Sequence, residues 1–301
     1  MARGYLPSLI FLSSLWGASY FFIKVAVEEL EPAAMMTLRL FLAAAVLIAV
    51  LVLQTGWQGA LAGVRTVGRR GVVLGLLNGA VPFWLIAWGE KHVDSGVAAI
   101  ANSTVPIFVA LLAIRLRPSE RSSGLRLAGI LVGLLGVGVL TGFHPEGGWW
   151  AVAGTMAVVL SSVCYARANL YTQEHFARTA PLVLATVAIT SAAFLILPFG
   201  LLQLPDQVPS YEALGAIAAL GVLGTSIAYL VHYRIVNTWG SSRASLVTYL
   251  LPAFALFYGA VFLDEPLTVN ALLGLALILG GVGLGSGVVR LRRRAPVGTT
   301  P

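Results

Sequence analysis

Trp16, Ser19 and Tyr20, Asn78 and Trp84, Asn102 and Thr104, Thr225, Ser226 and Tyr229, and Thr248 and Tyr249 lie about halfway along apolar runs. In lipid such side chains cost free energy and turn toward a bundle interior or a cavity. Amides, hydroxyls and aromatic rings gathered there suit hydrogen bonding and stacking on a small neutral or zwitterionic solute. The plainer role is hydrogen-bonded glue between helices. The expected substrate-binding set is Trp16, Ser19, Tyr20, Asn78, Trp84, Asn102, Thr104, Tyr165, Tyr229, Thr248 and Tyr249.

Four charged or titratable residues accompany them. Lys24 lies near the end of its run, from which its flexible stem can reach the interface. At 1.5 Å per residue, Arg39 is about 9 Å inside its helix, with Glu28 or Glu31 as the acid expected to pair with it. Both are expected to be structural or gating charges, with contact to a substrate carboxylate as the second reading. Glu90 and His232 end apolar runs on opposite faces, where anchoring at the interface is expected and proton coupling is the alternative. No Asp or Glu falls near the midplane on these assignments, so a dedicated carboxylate relay is not supported.

Catalysis finds little to work with. The four histidines, His92, His144, His175 and His232, all fall at or beyond the ends of apolar runs, and neither HExxH nor GxSxG occurs. One cysteine, Cys164, cannot form an internal disulfide, and no His/Cys cluster suggests a metal. Neither a cofactor nor a metal is expected.

The elements that position these residues are membrane spans. The chain is 58% hydrophobic and 10% charged, against roughly 25% charged in a soluble domain. At about 20 residues per span, ten spans are predicted, over 5–27, 33–53, 71–89, 95–114, 122–141, 149–172, 180–201, 211–236, 242–263 and 268–289, with 54–70 and 203–210 as the longer connections. The first run continues into Trp16–Phe22 without a cleavage pattern, so no cleavable signal peptide is expected. The net charge of +7 comes from arginines in the connections, which membrane topology explains better than nucleic acid. A cytoplasmic N-terminus places Arg3, Arg65, Arg69, Arg70, Arg115, Arg117, Arg121, Arg126, Arg178, Arg234, Arg243 and Arg290–Arg294 inside and only Lys91 outside.

The chain also repeats itself. Ser95, Ala98, Pro106 and Phe108 match Ser241, Ala244, Pro252 and Phe254 at one offset. One residue shorter, Glu120, Leu127, Gly129, Gly136, Val137 and Gly138 match Glu265, Leu272, Gly274, Gly281, Val282 and Gly283. Five spans per repeat, an odd number, invert the second copy relative to the first. The fold class is therefore an all-α integral membrane protein of ten transmembrane helices as two inverted-topology five-helix repeats, both termini cytoplasmic. Residues 1–145 and 146–290 are the repeats and 291–301 a basic cytoplasmic tail. Pro106 and Pro252 each remove a backbone donor and free a carbonyl one turn earlier, bending a helix where a hinge would serve alternating access. Gly129/Gly133 and Gly281/Gly285 fit a dimer face or packing of spans five and ten; the second, and with it a monomer, is expected.

Trp16–Leu40, the Pro106 and Pro252 spans, Leu263–Thr268 and Gly274–Gly285 resemble the EamA-type branch of the drug/metabolite transporter superfamily. The second copy departs from the pattern where Ser161–Tyr165 replaces Trp16–Gly17. The resemblance implies an inner-membrane carrier whose cavity is lined by spans one, three, four, six, eight and nine. It implies export of small polar metabolites such as amino acids, with the bilayer and a small-molecule substrate as partners. Efflux of lipophilic compounds is the alternative; a membrane enzyme or a scaffold is the rival class.

Overall fold

The computed structural model describes residues 4–116, 124–141, 148–239, 244 and 246–285, and every regular element among them is helical. Glu120, Ser241 and the 291–301 tail lie outside the described residues. α1 is Tyr5–Val27 and α2 Pro32–Gly75. A π-helical turn, Leu76–Ala80, joins α2 to α3, Val81–Glu90. α4 (Ser95–Asn102), α5 (Val105–Leu116), α6 (Gly124–Thr141), α7 (Gly148–His175) and α8 (Pro181–Leu202) follow. α9 (Tyr211–Ala219) runs through a second π turn, Leu220–Ile227, into α10 (Ala228–Trp239), and α11 (Val247–Phe262) and α12 (Val269–Gly285) complete the set.

Helix boundaries follow local chemistry. Pro32 and Pro181 open α2 and α8, where a missing N–H costs nothing. Ser210 opens α9, its Oγ accepting the Ala213 N–H at 3.1 Å. Six apolar stretches among the described residues are long enough to cross a membrane, and three shorter apolar helices accompany them. The protein is a multi-pass membrane protein.

Two expectations need correction. The 54–70 connection is helical: Gly56 (φ 70°) and Gly68 (φ 54°) break the 59-residue stretch Pro32–Glu90, and both angles favour glycine. Between these breaks Trp57, Leu61 and Val64 are exposed, while Ala60 and Val67 are buried against α8. An exposed apolar side beside Arg65, Arg69 and Arg70 fits a helix lying in the membrane interface. The 95–114 span is likewise broken at Ser103–Thr104, and Pro106 opens α5 instead of bending one continuous helix. Pro252, its sequence counterpart, stays inside α11.

α2 packs along α8, α6 along α12, α1 along α11, and α7 against α3, α4 and α5. The largest buried cluster joins Leu30, Met35, Met36, Leu40, Ile100, Ile189 and Leu220. The 28–31, 91–94, 203–210 and 263–268 turns bond to one another or to helices entering the same face. Lys91 pairs with Glu31 at 2.7 Å. Gln203 Oε1 accepts the Ala33 N–H at 2.9 Å. Ser210 donates its N–H to Glu29 Oε2 at 2.7 Å and its hydroxyl to Oε1. These two donors hold the Glu29 carboxyl below the usual carboxylate range.

Candidate functional site

Arg39 is the centre of the polar interior. It lies two turns inside α2 and is only 5% exposed. Its Nε donates to Thr225 Oγ1 at 3.1 Å, its Nη1 faces Met36 Sδ at 3.8 Å, and its Cζ lies 4.2 Å above the Phe83 ring centroid. The phenols of Tyr165, Tyr229 and Tyr20 and the carboxyl of Glu90 lie within electrostatic reach of it. Among the described residues no carboxylate bonds it, so the expected pairing with Glu28 or Glu31 is replaced by a hydroxyl, a thioether and an aromatic face. A guanidinium tolerates that exchange better than an ammonium, because its planar charge is delocalised and weakly hydrated.

The two π turns place polar groups around this centre. In a π turn the backbone bonds i→i+5, and such bulges recur at functional sites. Thr225 and Ser226 donate their hydroxyls five residues back, to the Leu220 and Gly221 carbonyls, both at 2.9 Å. Thr225 thereby presents its oxygen to Arg39. In the other π turn Asn78 donates Nδ2 to the Tyr229 hydroxyl at 3.1 Å. Trp16 meets Tyr229 edge-on with ring centroids 6.4 Å apart, and the His232 ring lies 5.3 Å from Trp16.

Asn102 organises a second amide–phenol pair. It donates Nδ2 to the Tyr20 hydroxyl at 2.7 Å. Its Oδ1 accepts from Ser162 Oγ at 3.1 Å and Ser161 Oγ at 3.4 Å. Its backbone carbonyl, left free four residues before Pro106, accepts Ser162 Oγ at 3.3 Å. Ser161, Ser162 and Phe83 were not among the expected site residues. The signal for the serines was the departure at Ser161–Tyr165.

Other expected residues take other places. Ser19 donates to the Leu15 carbonyl of its own helix at 3.0 Å, and Thr104, in the break after α4, to the Ala101 carbonyl at 2.7 Å. Tyr165 meets Phe83 edge-on at 6.5 Å, and Tyr249 is partly buried against the main core. Thr248 is half-buried. Trp84 is 36% exposed and joins none of these bonds. Lys24 bonds the Glu90 and Val93 carbonyls at 2.8 and 2.9 Å, tying α1 to the end of α3. Glu90 is 0% exposed, so the expected interfacial anchor is buried instead. The arrangement gathers two amide–phenol pairs, serine and threonine hydroxyls and aromatic rings beside one buried cation.

A family model described as the EamA-like transporter family matches residues 5–142 and 152–286. An uncharacterized transporter of Archaeoglobus fulgidus is 29% identical over 286 residues, covering 93% of this chain and 96% of the relative. A probable amino-acid metabolite efflux pump of Escherichia coli is 24% identical over 301 residues, covering 95% of each. A solved crystal structure superposes with a TM-score of 0.64 at 21% identity, covering 95% of this chain and 98% of the other, a likeness of fold alone.

Proposed function

The chain belongs to the EamA-like transporter family, and from that membership we propose that it exports small polar metabolites, amino acids or their relatives, across a bacterial inner membrane. The observation that carries this reading is the polar centre: two amide–phenol pairs, Asn102–Tyr20 and Asn78–Tyr229, beside Arg39, to which no carboxylate is hydrogen-bonded among the described residues. Arg39 suits the carboxylate of a zwitterion through charge-assisted hydrogen bonds, and the tyrosine and tryptophan rings suit its apolar side. The name of the E. coli relative agrees with this substrate class. A buried cation with no carboxylate bonded to it disfavours a lipophilic cation as cargo.

The proposed architecture is ten spans in two inverted repeats, 1–145 and 146–290, with a basic tail over 291–301 and both termini cytoplasmic. Two features support it. α1 packs on α11, and α7, which starts the second repeat, packs in the same manner on α4 and α5. Each of the two π turns lies within the third span of its repeat. Pro106 and Pro252 are the hinges of alternating access, and their different surroundings, a broken helix and a continuous one, suit halves caught in different states. On this topology the linked turns at 28–31, 91–94, 203–210 and 263–268 close the external face.

Counterflow in proteoliposomes loaded with pooled amino acids tests the function. Saturable exchange of one group, with a raised half-saturation concentration in Asn102→Ala and Tyr229→Phe, is the expected result. Exchange of that group at unchanged apparent affinity in both variants would move the site elsewhere. Absence of exchange from folded, inserted protein would end the amino-acid reading.

A further inference from the structure

Glu90 ends α3 with its side chain fully buried, and among the described residues neither carboxyl oxygen has a hydrogen-bond partner. Its backbone carbonyl is capped by Lys24 Nζ at 2.8 Å, yet that ammonium forms no ion pair with the carboxyl. The charged and titratable groups that face it are Lys24 and Tyr20 of α1, Arg39 of α2 and Glu265 ahead of α12. His92, in the turn that follows, stacks on Trp150 at 5.2 Å, and burial, then the Lys91 and Lys24 ammonium groups, push its pKa down.

A buried carboxylate without a hydrogen-bond donor loses its hydration at a cost of several kcal/mol, which the charges of Lys24 and Arg39 offset only in part. Position adds to the difficulty, because the last residue of α3 lies at the negative end of the helix dipole. Glu265 supplies the contrast on the same face. Its carboxylate accepts Ser95 N at 2.7 Å, Ser95 Oγ at 2.8 Å and Gly96 N at 3.2 Å, on the positive end of α4. One site is built for an anion and the other for a neutral acid, an arrangement that separates proton-holding from charge-holding groups.

We infer that Glu90 is a proton-binding site of the transport cycle, holding one proton while the Glu265–Ser95 contact is closed and releasing it when that contact opens. Closure removes water from the carboxyl, so the closed state takes up a proton; opening rehydrates the group, and the proton returns to solution as the carboxylate forms. The coupling role rests on the transporter reading, but the proton itself does not.

Infrared spectroscopy of the purified protein in lipid nanodiscs at neutral pH tests this without any substrate. A carbonyl stretch of one protonated carboxylic acid per chain is expected, displaced in D2O and lost in Glu90→Gln. If Glu90→Gln does not fold, a displaced band in Glu90→Asp serves the same purpose. Glu265→Ala opens the contact, and the band is expected to weaken as Glu90 ionises. No protonated acid in the wild type, or a band that survives Glu90→Gln, overturns the site; a band untouched by Glu265→Ala overturns the link to the gate. Failed counterflow with the band present would count against the transport reading and leave the proton site standing.

Discussion

The carboxylate of Glu265 occupies the N-terminus of the helix that begins at Ser95, 170 residues away in sequence, through bonds of 2.7 Å to the Ser95 N–H and 2.8 Å to its hydroxyl. α11 ends against Gly259 O, and Asp264 takes a left-handed φ of 54° that turns the chain back toward α4. The Glu265 side chain therefore joins the turn after α11 to the start of α4.

Removing this contact should open its face. Hydrogen bonds to a charged acceptor are worth about 1.5–3 kcal/mol net, roughly a ten-fold or greater change in a two-state gate. In a Cys164→Ser background, Val97→Cys, the residue next to Gly96, should react faster with a membrane-impermeant maleimide once Glu265→Ala is added. An unchanged labelling rate would mean that the contact only caps the helix.

Glu29 makes a second contact on this face, and its sign with pH is opposite to that of a histidine switch. Ser210 lowers the folded-state pKa from the ordinary 4.5. The resulting stability is complete above the unfolded value and fades as pH falls through the folded one. Below pH 4.5 the start of α9 should loosen, seen as faster backbone amide exchange over 211–219. Glu29→Gln should show that looser state already at neutral pH and respond little to acid. Equal acid sensitivity in both proteins would place the responsible group elsewhere.

Arg39 should not tolerate lysine. The ammonium keeps the charge but forfeits the planar stack on Phe83 and the Nε geometry that meets Thr225. A desolvated cation–π contact is worth about 2 kcal/mol, so Arg39→Lys should lower the thermal midpoint in nanodiscs and raise the half-saturation concentration for a carboxylate-bearing substrate. If Arg39→Lys matches the wild type in both, the guanidinium is a plain counter-charge.

Much of this was legible in the sequence because period and polarity carry it. The apolar runs announce the helices, and Tyr20, Asn102, Asn78 and Tyr229 stand out as polar positions inside them. Three features were not legible. The two π turns come from tertiary packing, since Leu76–Ala80 and Leu220–Ile227 read as ordinary helix. The helical stretch between Gly56 and Gly68 reads as a loop, because the glycines that break it are also those that mark turns. Glu90 sits beside Lys91 and His92, a run that reads as an interface; only the packing of α1 and α7 on α3 buries it.

Gly281 tests whether the glycine pairs serve packing within the chain. A Cβ there would come within 2.5 Å of Gly129 O and Gly133 N, so α6 and α12 approach backbone to backbone at that point. Relief by a side-chain rotamer is impossible, because the obstructing atoms are main chain. Gly281→Ala should therefore force the helices apart, at a cost typical of overpacking, about 1–3 kcal/mol. The thermal midpoint in nanodiscs should fall while the mass measured by light scattering stays the same. A change in mass without a change in midpoint would instead place these glycines at a contact between copies, since an internal contact must lower stability before it can alter association.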